Sequence, residues 1–229
     1  MRIKDVINYG IKKLNENHID DSIIKAKLVL QYILNQDNSY LVCYCDKELE
    51  DKTINKYMNY IEELIQGKPL QYITHHQEFM KLDFYVDENV LIPQPDTEIL
   101  VENVLNEIQN ISKNRKIETI KILDLCTGSG SIAVSIKKYA DIQMYASDIR
   151  EKALEIANKN AKENEVDIEF IQSDMFCNIV SSNEMQNKFD IIVSNPPYIE
   201  REEIQRLPIE VKNEPYIALD GRCRWIRFL

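Results

Sequence analysis

From residue 120 onward the chain alternates short apolar runs with amphipathic stretches. The strand candidates are Ile120–Leu125, Ile142–Ser147, Ile168–Gln172 and Phe189–Ser194, and helical periodicity lies near 131–139 and 151–164. Apolar strands separated by helix-length crossovers cannot pair as tight hairpins. They predict an α/β architecture with a parallel, doubly wound sheet, which binds its ligands at the carboxyl ends of the strands. Glycine marks where that edge departs from ordinary backbone. The chain has only five glycines, and two of them, Gly128 and Gly130, follow the first strand directly.

The segment before the sheet is different. Ile3, Val6, Ile7, Ile11 and Leu14 recur at helical spacing, as do Ile23, Ala26, Leu30, Ile33 and Leu34, and then Ile54, Tyr57, Met58, Ile61, Leu64 and Ile65, with Gly67 and Pro69 as a stop. Residues 78–86 alternate instead, and Asp87-Glu88-Asn89 reads as the turn of a hairpin. A helix follows, opened by Asp96-Thr97-Glu98 and carried by Ile99, Leu100, Val101, Val104, Leu105 and Ile108. The expected organisation is a small all-α bundle over 1–75, a hairpin linker over 76–94 and an α/β domain over 95–229.

Charge narrows the function. The formal net charge is −10, with residues 1–75 near neutral (10 basic, 11 acidic) and residues 76–229 at −9 (18 basic, 27 acidic). An acidic domain is a poor match to a phosphate backbone, so no direct nucleic-acid contact is expected. No apolar run is long enough to span a membrane, and Met1-Arg2-Ile3-Lys4-Asp5 has no apolar signal core. Five cysteines without a Cys-x-x-Cys pair fit a reduced, cytoplasmic setting. The adjacent His75 and His76 lack supporting ligand spacing, so no metal is expected.

Three features at strand ends carry chemistry. Asp124-Leu125-Cys126-Thr127-Gly128-Ser129-Gly130 turns from the first strand into a helix and lacks the Lys-Ser/Thr of a phosphate loop, which disfavours a triphosphate. Asp148 ends the second strand, 24 residues on, where a carboxylate can hold ribose hydroxyls. Asp174 follows the third strand, with Met175 and Phe176 as apolar walls for a base. The fourth strand runs into Asn195-Pro196-Pro197-Tyr198. Its prolines fix the chain and offer carbonyls without N–H groups. The Asn195 side-chain oxygen and the Pro196 carbonyl can accept both hydrogens of a planar NH2, and Tyr198 can stack on that plane. Holding both N–H bonds turns a delocalised lone pair toward an electrophile. A nucleoside pocket without a phosphate loop points to the sulfonium methyl of S-adenosylmethionine, hence methyl transfer to nitrogen with no metal.

These motifs resemble the HemK/PrmC-type protein-(glutamine) N-methyltransferases. The resemblance also rests on Gly67-Lys68-Pro69-Leu70-Gln71-Tyr72-Ile73, Ile92-Pro93-Gln94-Pro95-Asp96-Thr97-Glu98 and Asn213-Glu214-Pro215-Tyr216-Ile217-Ala218-Leu219. It implies a class I, Rossmann-like S-adenosylmethionine-dependent methyltransferase domain after a substrate-docking helical domain, acting as a monomer. The implied reaction methylates the glutamine amide in the Gly-Gly-Gln motif of peptide chain release factors. By position, Cys126, Thr127, Gly128, Ser129, Gly130, Asp148, Asp174, Met175 and Asn195 would hold the cofactor. Asn195, Pro196, Pro197 and Tyr198 would form the substrate slot. Cys126 departs from the family's pattern, since many class I enzymes have glycine there.

The Asn-Pro-Pro-Tyr motif is shared with adenine-N6 methyltransferases of DNA and RNA, which remain the alternative enzyme. The resemblance also stops near Gly221. The fold implied has seven strands, and the missing ones would need roughly 50 more residues. Residues 222–229 hold three of the eight arginines and the only tryptophan. A family-like tail Gly-Val-Asp-Gly-Leu-Asp-Phe-Tyr, coded GGT GTA GAT GGA TTA GAT TTT TAT, becomes the observed Arg-Cys-Arg-Trp-Ile-Arg-Phe-Leu when one A is placed before it. Ile, Lys and Asn supply 73 of the 229 residues, consistent with A/T-rich coding. The expectation is a frameshifted or truncated family member. The non-enzyme reading is then an inactive fragment that at most binds S-adenosylmethionine or the release factor.

Overall fold

The computed structural model describes residues 1–114, 119–181 and 189–221; the tail 222–229, with the expected frameshift, lies outside them. The chain divides into two compact units, Met1–Thr74 with Pro208–Asn213, and His75–Leu207 with Glu214 onward.

The first unit is helical: α1 (Ile3–Glu16), α2 (Ser22–Leu34), α3 (Asn38–Cys43), α4 (Asp51–Ile65) and α5 (Leu70–Thr74). The three long helices form where the apolar period predicts them, and they bury Ile3, Val6, Leu14, Ala26, Leu30, Ile54, Tyr57, Ile61 and Leu64 in one core. Gly10 lets α1 and α4 approach, since a Cβ there would overlap the Tyr57 hydroxyl. That hydroxyl is buried without a partner among the described residues, and burial holds its pKa well above the usual tyrosine value. Gly67 takes φ +91°, which ends the run after α4. Its carbonyl accepts from Asn213 Nδ2 at 2.8 Å, and Lys25 pairs with Glu210 at 2.6 Å, so residues 208–213 are fastened into this unit.

The second unit opens with an antiparallel hairpin, β1 (Gln77–Phe79) and β2 (Leu82–Phe84). Its turn is at Met80-Lys81 and not at Asp87–Asn89, which corrects the sequence expectation. Both turn residues have positive φ, 52° and 60°, the geometry normally signalled by Asn-Gly. Tertiary bonds hold it: the Met80 N–H donates to Glu98 Oε1 at 2.6 Å, and its carbonyl accepts from the Tyr139 hydroxyl at 2.6 Å. The Asp87 signal marks a separate turn, in which its side chain accepts from the Asn89 N–H at 2.8 Å. Phe79 and Phe84 pack edge to face into the core of this unit, so the hairpin is part of the α/β unit. His75 and His76 serve the same region, His75 stacking on Tyr85 and His76 bonding Asp83 at 2.6 Å.

There follow α6 (Asp96–Asn114), β3 (Lys121–Leu125), α7 (Ser131–Tyr139), β4 (Gln143–Asp148), α8 (Glu151–Glu163), β5 (Glu169–Gln172), α9 (Cys177–Ser181), β6 (Ile191–Ser194) and α10 (Arg201–Ile204). The four strands pair in parallel in the order β5-β4-β3-β6. One face packs on α6, α7 and α8 through residues such as Val101, Ile132, Ile136 and Ala161. The other holds a smaller cluster of Leu123, Leu125, Tyr145 and Ile179, and leaves Ile192 of β6 51% exposed. Two short helices close the described chain, α11 (Ile209–Lys212) in the helical unit and α12 (Tyr216–Leu219) in the α/β unit. No helix among the described residues is long and apolar enough to cross a membrane.

Candidate active site

Strand order fixes the position of the site. The chain winds outward through β3, β4 and β5, then returns to place β6 on the other side of β3. The loops leaving β3 and β6 therefore diverge at a switch point, where an open α/β sheet leaves a crevice. Register aligns their exits: Leu125 pairs with both Ser147 and Ser194, and Ser194 Oγ donates to the Leu125 carbonyl at 2.7 Å. A cavity of about 700 Å³ opens at this edge, within the usual range for a small-molecule site. Cys126, Thr127, Gly128, Ser129, Asp148, Asp174, Met175, Asn195 and Pro197 all line it.

The loop after β3 is shaped by hydrogen bonds from three directions. Asp148 accepts from the Gly128 N–H through Oδ2 and from the Arg150 N–H through Oδ1, both at 3.0 Å, so its carboxylate is aimed by backbone on each side. Asp124 is fully buried beneath the loop and accepts from the Thr127 hydroxyl at 2.6 Å. Burial, opposed by that bond and aided by Asp148, pushes its pKa up to about 7. Asn160 of α8, also fully buried, bonds both the N–H and the carbonyl of Tyr85 and reaches the Ser129 carbonyl at 2.8 Å. Nothing in the local sequence separates Asn160 from its solvated neighbours; its role follows from three bonds to two residues distant in the chain.

The loop glycines differ in purpose. Gly128 has φ +55° and open space where a side chain would project. Gly130 does not line the cavity; a Cβ there would meet Ala157 of α8 at 3.0 Å, so it serves the packing of α7 on α8. Cys126 takes φ +60°, the conformation that makes glycine the usual occupant. Its Sγ lies 3.9 Å from Met175 Sδ, and burial pushes the thiol up to about 12.

At the β6 exit, Asn195 and Pro197 face the cavity, whereas Pro196 and Tyr198 are not among the residues lining it, and Tyr198 is 75% exposed. The segment is tied to the end of the described chain. Ile199 bridges Asp220, and Gly221 sits so close that a Cβ would come within 2.6 Å of the Tyr198 carbonyl carbon. Residues 92–98 and 214–221 meet here as well. Glu214, 7% exposed, accepts from the Ile92 N–H at 2.9 Å, and burial pushes its pKa up to about 7. Asn195 Nδ2 donates to Thr97 Oγ1 at 3.2 Å, and Gln94, Ile217 and Ala218 join the cavity wall. Sequence flagged Thr97 as a helix start and Glu214 as part of a motif; their partners are 98 and 122 residues away.

Comparison with known proteins places the chain in a family. The family profile described as "Methyltransferase small domain" matches residues 95–210, and "PrmC N-terminal domain" matches 5–74. A release factor glutamine methyltransferase of Clostridium acetobutylicum is 40% identical over 227 residues, covering 96% of this chain and 76% of that protein. One from Koribacter versatilis is 37% identical over 223 residues with the same coverage. A bifunctional methyltransferase of Rickettsia felis is 34% identical over 242 residues, and 45% of its length is spanned. With both units matched, and with identity sustained across three quarters of such relatives, the chain belongs to the release factor glutamine methyltransferase family.

Proposed function

We propose that this chain methylates the side-chain amide nitrogen of the glutamine in the Gly-Gly-Gln motif of a peptide chain release factor, in the cytoplasm and as a monomer. The observation that carries the reading is one cavity whose wall holds both the β3 loop with Asp148 and the Asn195 carboxamide. The cofactor is S-adenosylmethionine, which supplies an electrophilic methyl group on a sulfonium. The residues present fit it. Asp148 keeps acceptor capacity on both oxygens for ribose hydroxyls, Met175, Phe176 and Ile149 offer apolar surface for a base, and the loop 127–129 brings bare backbone to the cavity.

On the acceptor side, Asn195 with the Pro196 carbonyl would take the two N–H bonds of the glutamine amide. Fixing both draws the nitrogen from its conjugated plane and orients its lone pair, a gain realised mainly in the transition state. Tyr198, exposed here, is available to cover the amide plane. The helical unit would dock the release factor.

Incubation with labelled S-adenosylmethionine and a release factor tests this. Label on the Gly-Gly-Gln glutamine is expected, with none on a variant carrying another residue there. An unlabelled release factor beside a labelled oligonucleotide would turn the reading toward adenine-N6 chemistry.

A further inference from the structure

We propose that Thr97 is a positioning residue for methyl transfer: its hydroxyl bonds the Asn195 carboxamide through Nδ2 and holds that side chain in place for the acceptor's N–H. The proposal deepens the reading above and rests on it. A carboxamide has an acceptor end and a donor end of nearly the same shape. Rotated by half a turn, Asn195 would offer N–H to N–H, and the grip on the substrate would be lost. The two prolines that follow have no N–H with which to anchor the side chain, so the hold on the carboxamide falls to a group from elsewhere in the chain.

Thr97 is such a group. It lines the same cavity, and its Oγ1 accepts from Asn195 Nδ2 at 3.2 Å. Its own place is set by the first turn of α6. The Thr97 N–H donates to the Gln94 carbonyl at 3.0 Å, and the next residue, Glu98, holds the Met80 amide of the hairpin turn at 2.6 Å. The hairpin thus fixes the start of α6, α6 fixes the hydroxyl, and the hydroxyl holds the Asn195 side chain that meets the substrate.

Thr97→Val keeps the shape and cannot accept a hydrogen bond; Thr97→Ser keeps the hydroxyl. For the valine variant kcat on the release factor falls about tenfold to a hundredfold, the scale set by a misplaced reacting group, while the KM for S-adenosylmethionine and the melting temperature stay within error. The serine variant recovers most of the rate. In proton–nitrogen correlation spectra of the full chain, the Asn195 side-chain amide signals shift in the valine variant and return toward wild type in the serine variant. An unchanged kcat in Thr97→Val, a loss that serine does not rescue, or unmoved Asn195 signals would each overturn the proposal. Failure of the release-factor reading looks different: wild-type protein then leaves the release factor unlabelled. The amide signals decide the Thr97–Asn195 bond without turnover, and unmoved signals overturn the proposal there too.

Discussion

At the scale of single residues, buried polar groups set the pH response and the reactivity of the site. Burial raises the Glu214 carboxyl from its ordinary 4.5 to about 7, opposed by its bond from Ile92. An acid whose folded pKa is raised favours the native state below its unfolded pKa, and that contribution is lost as pH rises through the folded value. Glu214→Gln keeps an acceptor for Ile92 and removes the buried charge. Urea unfolding should find it equal to wild type below about pH 4.5 and more stable at pH 8.5, by on the order of 1–3 kcal/mol. A wild-type advantage at pH 8.5 would contradict this. Cys126, pushed up to about 12, holds almost no thiolate at neutral pH. Peptide mapping after iodoacetamide treatment at pH 8 should show Cys43 and Cys177, both exposed, modified well before Cys126.

Between elements, close approach rather than propensity decides which substitutions matter. Gly130→Ala places a methyl 3.0 Å from the Ala157 Cβ and 3.1 Å from its Cα, at a φ of +81°. Both terms oppose it, and a loss of about 1–3 kcal/mol is expected in thermal or urea unfolding. The opposite sign applies at Tyr57, whose buried hydroxyl has no partner among the described residues. Tyr57→Phe leaves the ring packing of α4 intact and removes an unsatisfied group, so stability should rise by about 1 kcal/mol. The hairpin shows why elements were only partly legible. Alternation in 78–86 exposed the strands, but a Met-Lys turn carries none of the residues that announce positive φ. It persists because Glu98 and Tyr139 bond Met80 from α6 and α7.

For the whole molecule, the cofactor site and the fold are energetically linked, because the loop that shapes the cavity is held by α8 and β4, with Tyr85 bonded to the same α8 residue. S-adenosylmethionine at a hundred times its dissociation constant should add about 2.7 kcal/mol to stability, seen in calorimetry as a raised melting temperature. Asp148→Ala should abolish most of that rise; a shift of undiminished size would remove Asp148 from the cofactor site.

The sequence by itself determined the long elements and the fold class. Helical period in the first 67 residues, strand–helix alternation after 120 and two glycines behind the first strand are local signals, written wherever burial demands a repeating pattern. It also determined the chemistry available, since acidic residues at strand ends and an Asn-Pro-Pro-Tyr exit admit few uses. Only the tertiary structure decided which of those residues act together. The order β5-β4-β3-β6 brings the β3 and β6 exits to one edge, turns Gly130 from a ligand contact into a packing contact, and sets Thr97 on Asn195 and Glu214 on Ile92. Those pairings join residues about a hundred positions apart, and no pattern along a single chain records them, because a hydrogen bond depends on where the backbone returns and not on the sequence spacing between its partners.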